Sequence, residues 1–162
     1  MRISIAYRKT FPNVGGFLAR LEPFLASLPE GFRYAIEIRN ADYLCPDYLG
    51  LLASRNVAHC FNAWTRMPAL DDQARLSDAY TADFTVVRAL LTGGRTYEQA
   101  VKSFEPYREI QDPNEGAREG MIEIVRQTLK RSGTAYVFVN NRLEGHAPTT
   151  IEAVAEGVGA TG

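Results

Sequence analysis

Apolar residues gather in four short, nearly continuous runs, at residues 34–38, 57–61, 84–88 and 135–139. Each is rich in β-branched or aromatic side chains and lacks strict alternation, as a parallel strand does when both its faces are covered. Residues 3–7 form a weaker fifth run. Between the runs the period becomes helical. Val14, Phe17, Leu18, Leu21 and Leu25 mark a helix capped by Asn13, with Pro23 expected to kink or shorten it. Pro46 opens a second helix with Leu49, Leu52 and Ala53 on one face. Residues 97–110 are helix-like but broken at Pro106, and residues 112–114 read as a stop followed by a new cap. The next helix carries Ile122, Val125 and Leu129 as its apolar stripe and ends at Gly133. A last helix begins near Pro148 and contains Ile151 and Val154, and residues 157–162 are expected to fray.

Strands alternating with helices imply right-handed crossovers and a parallel sheet, either open and doubly wound or part of a barrel. Neither GxGxxG nor GxxxxGK[ST] occurs, so nothing supports a nucleotide-binding doubly wound fold. In parallel α/β folds, function gathers at the C-terminal ends of the strands. There Glu37 and Arg39, two residues apart, share a face, and Ile36 and Ile38 take the other. Asn62 then Trp64, Arg88, and Asn140 with Asn141 follow at the same ends of successive strands.

These residues suit a site for a small polar or anionic ligand. Arg39 and Arg88 supply charge, Asn62, Asn140 and Asn141 directional hydrogen bonds, and Glu37 a proton-transfer group. Trp64 and Tyr43 offer rings that stack on a flat ligand or cover the barrel mouth. Structural roles compete with these. Glu37 can neutralise Arg39 or Arg88, and the asparagines can form a turn or cap. His59, in mid-strand on the face opposite Asn62, is expected to pack under a helix. His146, in the loop after the last strand, is a second proton-transfer candidate, or a solvated loop histidine. No HxH, HExxH, paired-Asp cluster or GxSxG occurs, so no metal site or serine nucleophile is predicted and no cofactor is indicated.

Composition narrows the classes. The chain has 162 residues, 46% hydrophobic and 23% charged, enough to bury a sizeable core. A net charge of -1 argues against a basic nucleic-acid surface. Cys45 and Cys60, in no metal-like spacing, suit a reducing compartment as small, partly buried hydrophobes. The N-terminus lacks a signal-peptide pattern and no apolar run approaches membrane-spanning length, so a cytoplasmic protein is expected.

The segment Tyr34-Ala35-Ile36-Glu37-Ile38-Arg39, with Asp42-Tyr43 after it, resembles the "VEFRHPSW" stretch of the DUF72 (YecE-like) family. Asp83-Phe84-Thr85-Val86-Val87-Arg88 resembles the family's "DFVYVRLHG" strand, and Tyr136 to Asn141 its "YVFFNN" strand. Val57 to Ala63 resembles the strand between. The resemblance covers nearly all of the chain after about residue 11 and implies a TIM-like barrel without an assigned activity. The family's recurrent polar positions fall on Glu37, Arg39, Arg88, Asn140 and Asn141. Tyr43 stands where relatives have Trp, Asn62 where they often have Asp, and Ala89-Leu90-Leu91 in place of "LHG".

The fold class expected is thus α/β, with four to five parallel β/α units as the C-terminal half of a TIM-like (β/α)8 barrel, one partial domain over residues 1–162. A complete barrel needs about 250 residues. The shortfall suggests a truncated gene product, a homodimer of two half barrels, or association with a separate N-terminal half. Functionally, an enzyme acting on a small polar or anionic ligand leads. A non-catalytic binding or assembly module, or an inactive remnant, is the alternative. A nucleic-acid or phosphodiester-processing barrel comes last, because it needs a basic groove or metal cluster.

Overall fold

The computed structural model describes residues 2–5, 11 and 13–159. Five strands alternate with helices: β1 (Arg2–Ile5), α1 (Val14–Ala26), β2 (Ala35–Ile38), α2 (Pro46–Ala53), β3 (Ala58–Ala63), α3 (Leu70–Ala74), β4 (Phe84–Ala89), α4 (Tyr97–Phe104), α5 (Glu115–Lys130), β5 (Thr134–Val139) and α6 (Ala147–Gly159). All neighbouring strands pair parallel, in the spatial order β1-β2-β3-β4-β5. A doubly wound sheet reverses its order at a switch point. No reversal occurs among these strands, so the order is that of an arc of a TIM-like barrel. Residues 6 and 7 of the weak first run lie outside the described residues.

Local chemistry explains most boundaries. The Asn13 side chain accepts from Gly16 N at 2.8 Å and starts α1. Pro23 does not shorten that helix, which runs three residues further, to Ala26. Pro46 occupies the first turn of α2, where its missing N–H has no helical partner to lose. The buried face of α2 is Tyr48, Leu49 and Leu52, and Ala53 is exposed. Thr96 and Gln99 form a capping box that starts α4. At the end of α5 it is Ser132 that takes the left-handed turn, at φ 57°. Gly133 instead lies where a Cβ would come within 2.9 Å of Asp83 O, at the start of β5.

The stripe expected on α5 is rotated. Ala117, Gly120, Met121, Ile124 and Thr128 are buried, whereas Leu129 is 55% exposed. Gly120 and Thr128 decide this. A Cβ at Gly120 would sit 2.6 Å from Asp71 N, so glycine lets α5 lie against α3. Thr128 donates to Ile124 O at 2.8 Å and bonds Thr85 Oγ1 on β4 at 2.9 Å. Neither residue registers in a hydrophobic count. On α6, Thr150 and Val154 are buried and Ile151 is exposed. That helix continues through Gly157, where the expected fraying does not begin. Ile122 of α5 packs so closely there that a Cβ would meet its Cδ1 at 2.4 Å. Residues 160–162 lie outside the described residues. Among the described residues, no helix is long and apolar enough to cross a membrane.

Candidate functional site

The parallel register sets which side chains share the inward face of the sheet. Cys60 lies opposite Val86 and Asn62 opposite Arg88; across the next pair, Val86 faces Tyr136 and Arg88 faces Phe138. Glu37 projects into the same space, an open cleft of about 420 Å³ lined by Arg33, Ala35, Glu37, Cys60, Val86, Arg88 and three aromatic rings. Ile36, Ile38, Phe61 and Val87 lie in the main apolar core.

At the C-terminal end of this face, three charges meet. Glu37 is 2% exposed and both of its oxygens are occupied. Arg39 Nε donates to Oε1 at 2.9 Å, and Arg88 Nη1 donates to Oε2. Among the described residues each guanidinium makes this one hydrogen bond, leaving its other N–H groups open. Among the described residues, these three side chains sum to one net positive charge. Arg39 also lies over the Trp64 ring, 4.0 Å from its centroid. Trp64 in turn packs on the apolar cluster of Leu90, Leu91, Ala100 and Phe104.

Asn62 is fully buried beside this cluster. β2 and β3 pair only through Ala35–Ala58 and Ile36–His59. Where they part, Asn62 Nδ2 donates to Ile38 O and to Cys60 O, both at 3.1 Å. Two carbonyl acceptors fix the amide's orientation, and Oδ1 has no hydrogen-bond partner among the described residues. Gln73 on α3 completes the Asn62 backbone, accepting from its N–H at 3.2 Å and donating to its carbonyl at 2.9 Å.

The remaining sequence candidates stand apart from this cluster. Asn140 Oδ1 accepts from Arg142 N, and Asn141 Oδ1 accepts from Ala147 N, so both hold the turn into α6. His146 bonds Thr149 at the first turn of α6, and no hydrogen bond or ion pair joins it to Glu37 among the described residues. Tyr43 is buried with its ring stacked on Phe17, at 5.0 Å between centroids, so its face is not open to a ligand.

Two residues that the sequence did not single out govern the region. One is Gln73. The other is Glu144, fully buried, which accepts from Arg118, Thr150 and the Asn114 N–H. Only the residue type, an acid before a helix start, hinted at Glu144. Its partners are up to 30 residues away in sequence.

Two titrations inside the fold are displaced. Burial, with the Glu37 carboxylate nearby, pushes the Cys60 thiol up to about 12, so it stays protonated at neutral pH. His59 packs on the helix side, its Nδ1 3.3 Å from Tyr48 Oη and its ring close to the Gln73 side chain. Burial lowers its pKa from 6.5 to about 4. The unfolded chain then binds the extra proton first, so the stabilisation is complete above pH 6.5 and is lost as pH falls towards about 4. The full difference is about 3 kcal/mol. Urea melts at pH 7, 5.5 and 4.5 should show this loss in the wild type and a flatter dependence in His59→Gln. Equal slopes would contradict it.

Among the described residues, no group of three or more His, Cys, Asp or Glu is placed to hold a metal ion. The comparison that decides kinship is a family model, described as a protein of unknown function, DUF72, which matches residues 8–162. The chain belongs to the DUF72 family. Two crystal structures of a DUF72 family protein from Enterococcus faecalis V583 share its fold. The structure at 2.52 Å resolution aligns with a TM-score of 0.60 at 15% identity over 96% of this chain. The one at 3.10 Å aligns with 0.62 at 14% over 98%. Each alignment takes in 58% of the Enterococcus chain, so this sequence spans under two thirds of that protein's length. No curated protein matches. Of the polar positions that the DUF72 resemblance marks, Glu37, Arg39 and Arg88 meet in one cluster, while Asn140 and Asn141 serve the turn beside it.

Proposed function

We propose that the strand-end cluster binds a small anionic ligand, with Arg39 and Arg88 as its charged contacts and Glu37 as the group that positions them. The observation that carries this is the stoichiometry: two guanidiniums share one buried carboxylate. A single anion balances the excess charge and takes the unused N–H groups, in the planar geometry that arginine offers to carboxylate or phosphate. Glu37, with both oxygens engaged, is a counter-ion in this arrangement before it is a base. Turnover requires the ligand to displace one of those hydrogen bonds.

Inorganic phosphate at constant ionic strength is the first probe. An anion site predicts a gain in unfolding free energy that grows with the logarithm of phosphate concentration above Kd, about 1.4 kcal/mol at ten times Kd. Arg39→Met and Arg88→Met should each lose that gain, whatever their own baseline stability. A gain of equal size in both variants would contradict the proposal.

A further inference from the structure

We infer that Trp64 is the positioning residue of the anion site: its ring fixes the plane of the Arg39 guanidinium and ties Arg39 to the strand that carries Arg88. The inference rests on the anion-site reading and names what holds that site in shape. Arg39 follows the end of β2 and Arg88 lies near the end of β4, so β3 separates the two cations. The β2–β3 ladder does not set their spacing by itself. It holds Ala35–Ala58 and Ile36–His59 and stops three residues short of Arg39.

Trp64 bridges that gap. It is the first residue after β3. Its carbonyl accepts from Met67 N at 2.9 Å, and the preceding carbonyl, of Ala63, accepts from Leu91 N at 3.2 Å. The backbone is thus tied to a turn on one side and to the exit of β4 on the other. The ring packs on Leu90, Leu91, Ala100 and Phe104, a group that begins two residues beyond Arg88. Over the same ring lies the Arg39 guanidinium, 4.0 Å from the centroid.

The chemistry of that contact suits an anion site. A guanidinium carries its donors in its own plane and has none on its face. A ring on the face holds the cation without using an N–H group and without neutralising it. A carboxylate in the same place would do both. With Nε on Glu37 and its face on Trp64, Arg39 is fixed at two points and keeps its Nη groups for a ligand. Ordering a long side chain before binding lowers what binding must spend on it. Trp64 therefore acts on the ligand through Arg39 and not by stacking on it.

The test measures Kd for inorganic phosphate by calorimetry on the full chain at constant ionic strength. Trp64→Leu keeps an apolar side chain against Leu90 and Leu91 but removes the ring, and should weaken binding about fivefold. Trp64→Phe restores a ring and should stay within about twofold of the wild type. Trp64 is the chain's single tryptophan, so its emission adds a readout that needs no variant. That emission should change saturably with phosphate, at the calorimetric Kd. Constant emission while calorimetry shows binding would overturn the inference and spare the anion site. Wild-type affinity in Trp64→Leu would do the same, as would equal weakening in both variants, which marks a packing role. Absence of phosphate binding to the wild type would overturn both readings.

Discussion

Replacing Glu37 by alanine is expected to destabilise the fold by about 3 kcal/mol, at the lower end of the range for breaking a buried ion pair. The loss comes less from the missing bonds than from what remains: two guanidiniums, side chains 21% and 20% exposed, facing each other without a counter-charge. Their partial exposure lets water screen them, which keeps the figure from the upper end. Because three charges share the penalty, the effects are not additive. A triple change, Glu37→Leu with Arg39→Met and Arg88→Met, should be less destabilising than Glu37→Ala alone. Chemical denaturation of the wild type, Glu37→Ala and the triple variant checks this. If the triple variant is the least stable, the cluster is a stabilising network and not a charged site maintained at a cost.

A second large effect is expected at Glu144, away from the cleft. Its carboxylate takes Arg118 Nε at 2.9 Å, the Thr150 hydroxyl at 2.6 Å and the Asn114 N–H. Its backbone carbonyl takes Gln111 N at 2.8 Å and Asp112 N at 3.1 Å. One residue thus ties the approach to α5, the first turn of α5 and the first turn of α6. Glu144→Ala removes the buried acceptor of Arg118 and of the Asn114 N–H, leaving Arg118 only the exposed Glu115 at 3.8 Å and Thr150 only His146 O at 3.2 Å, for a loss of about 3 kcal/mol or more. Glu144→Gln keeps an acceptor for Thr150 or Asn114 and should lose less. Hydrogen exchange should quicken first at the starts of α5 and α6. Uniform quickening across the sheet, or a loss under about 1 kcal/mol, would mean that these helices are held by packing alone.

The two acids differ in how far each was legible in the sequence. Glu37 was visible because strand geometry is local: a period of two puts Glu37 and Arg39 on one face and Ile36 and Ile38 on the other. The parallel register then aligns Asn62 with Arg88. Glu144 was not visible, because its partners come from three separate segments. Gln73 was hidden for a similar reason. It lies on a helix of five residues, too short for a period, and its partners are backbone atoms of Asn62. The rotation of the buried stripe on α5 turned on Gly120 and Thr128, a missing side chain and a hydroxyl, while hydrophobic spacing pointed to Ile122, Val125 and Leu129. At strand ends, residue type left the asparagines open between ligand contact and turn. Hydrogen bonds to Arg142 N and Ala147 N engage both side-chain oxygens locally.

Two particular guanidiniums, Arg39 and Arg88, form the proposed anion site, so the most direct measurement observes them individually. Arginine Nε–Hε resonances would be followed by NMR while inorganic phosphate is added at constant ionic strength. The resonances of Arg39 and Arg88 should move together and saturate with one Kd, while that of the exposed Arg75 moves little. If Arg75 shifts as much as they do, or if Arg39 and Arg88 stay fixed throughout, the cluster is a closed structural charge pair and the anion site does not exist.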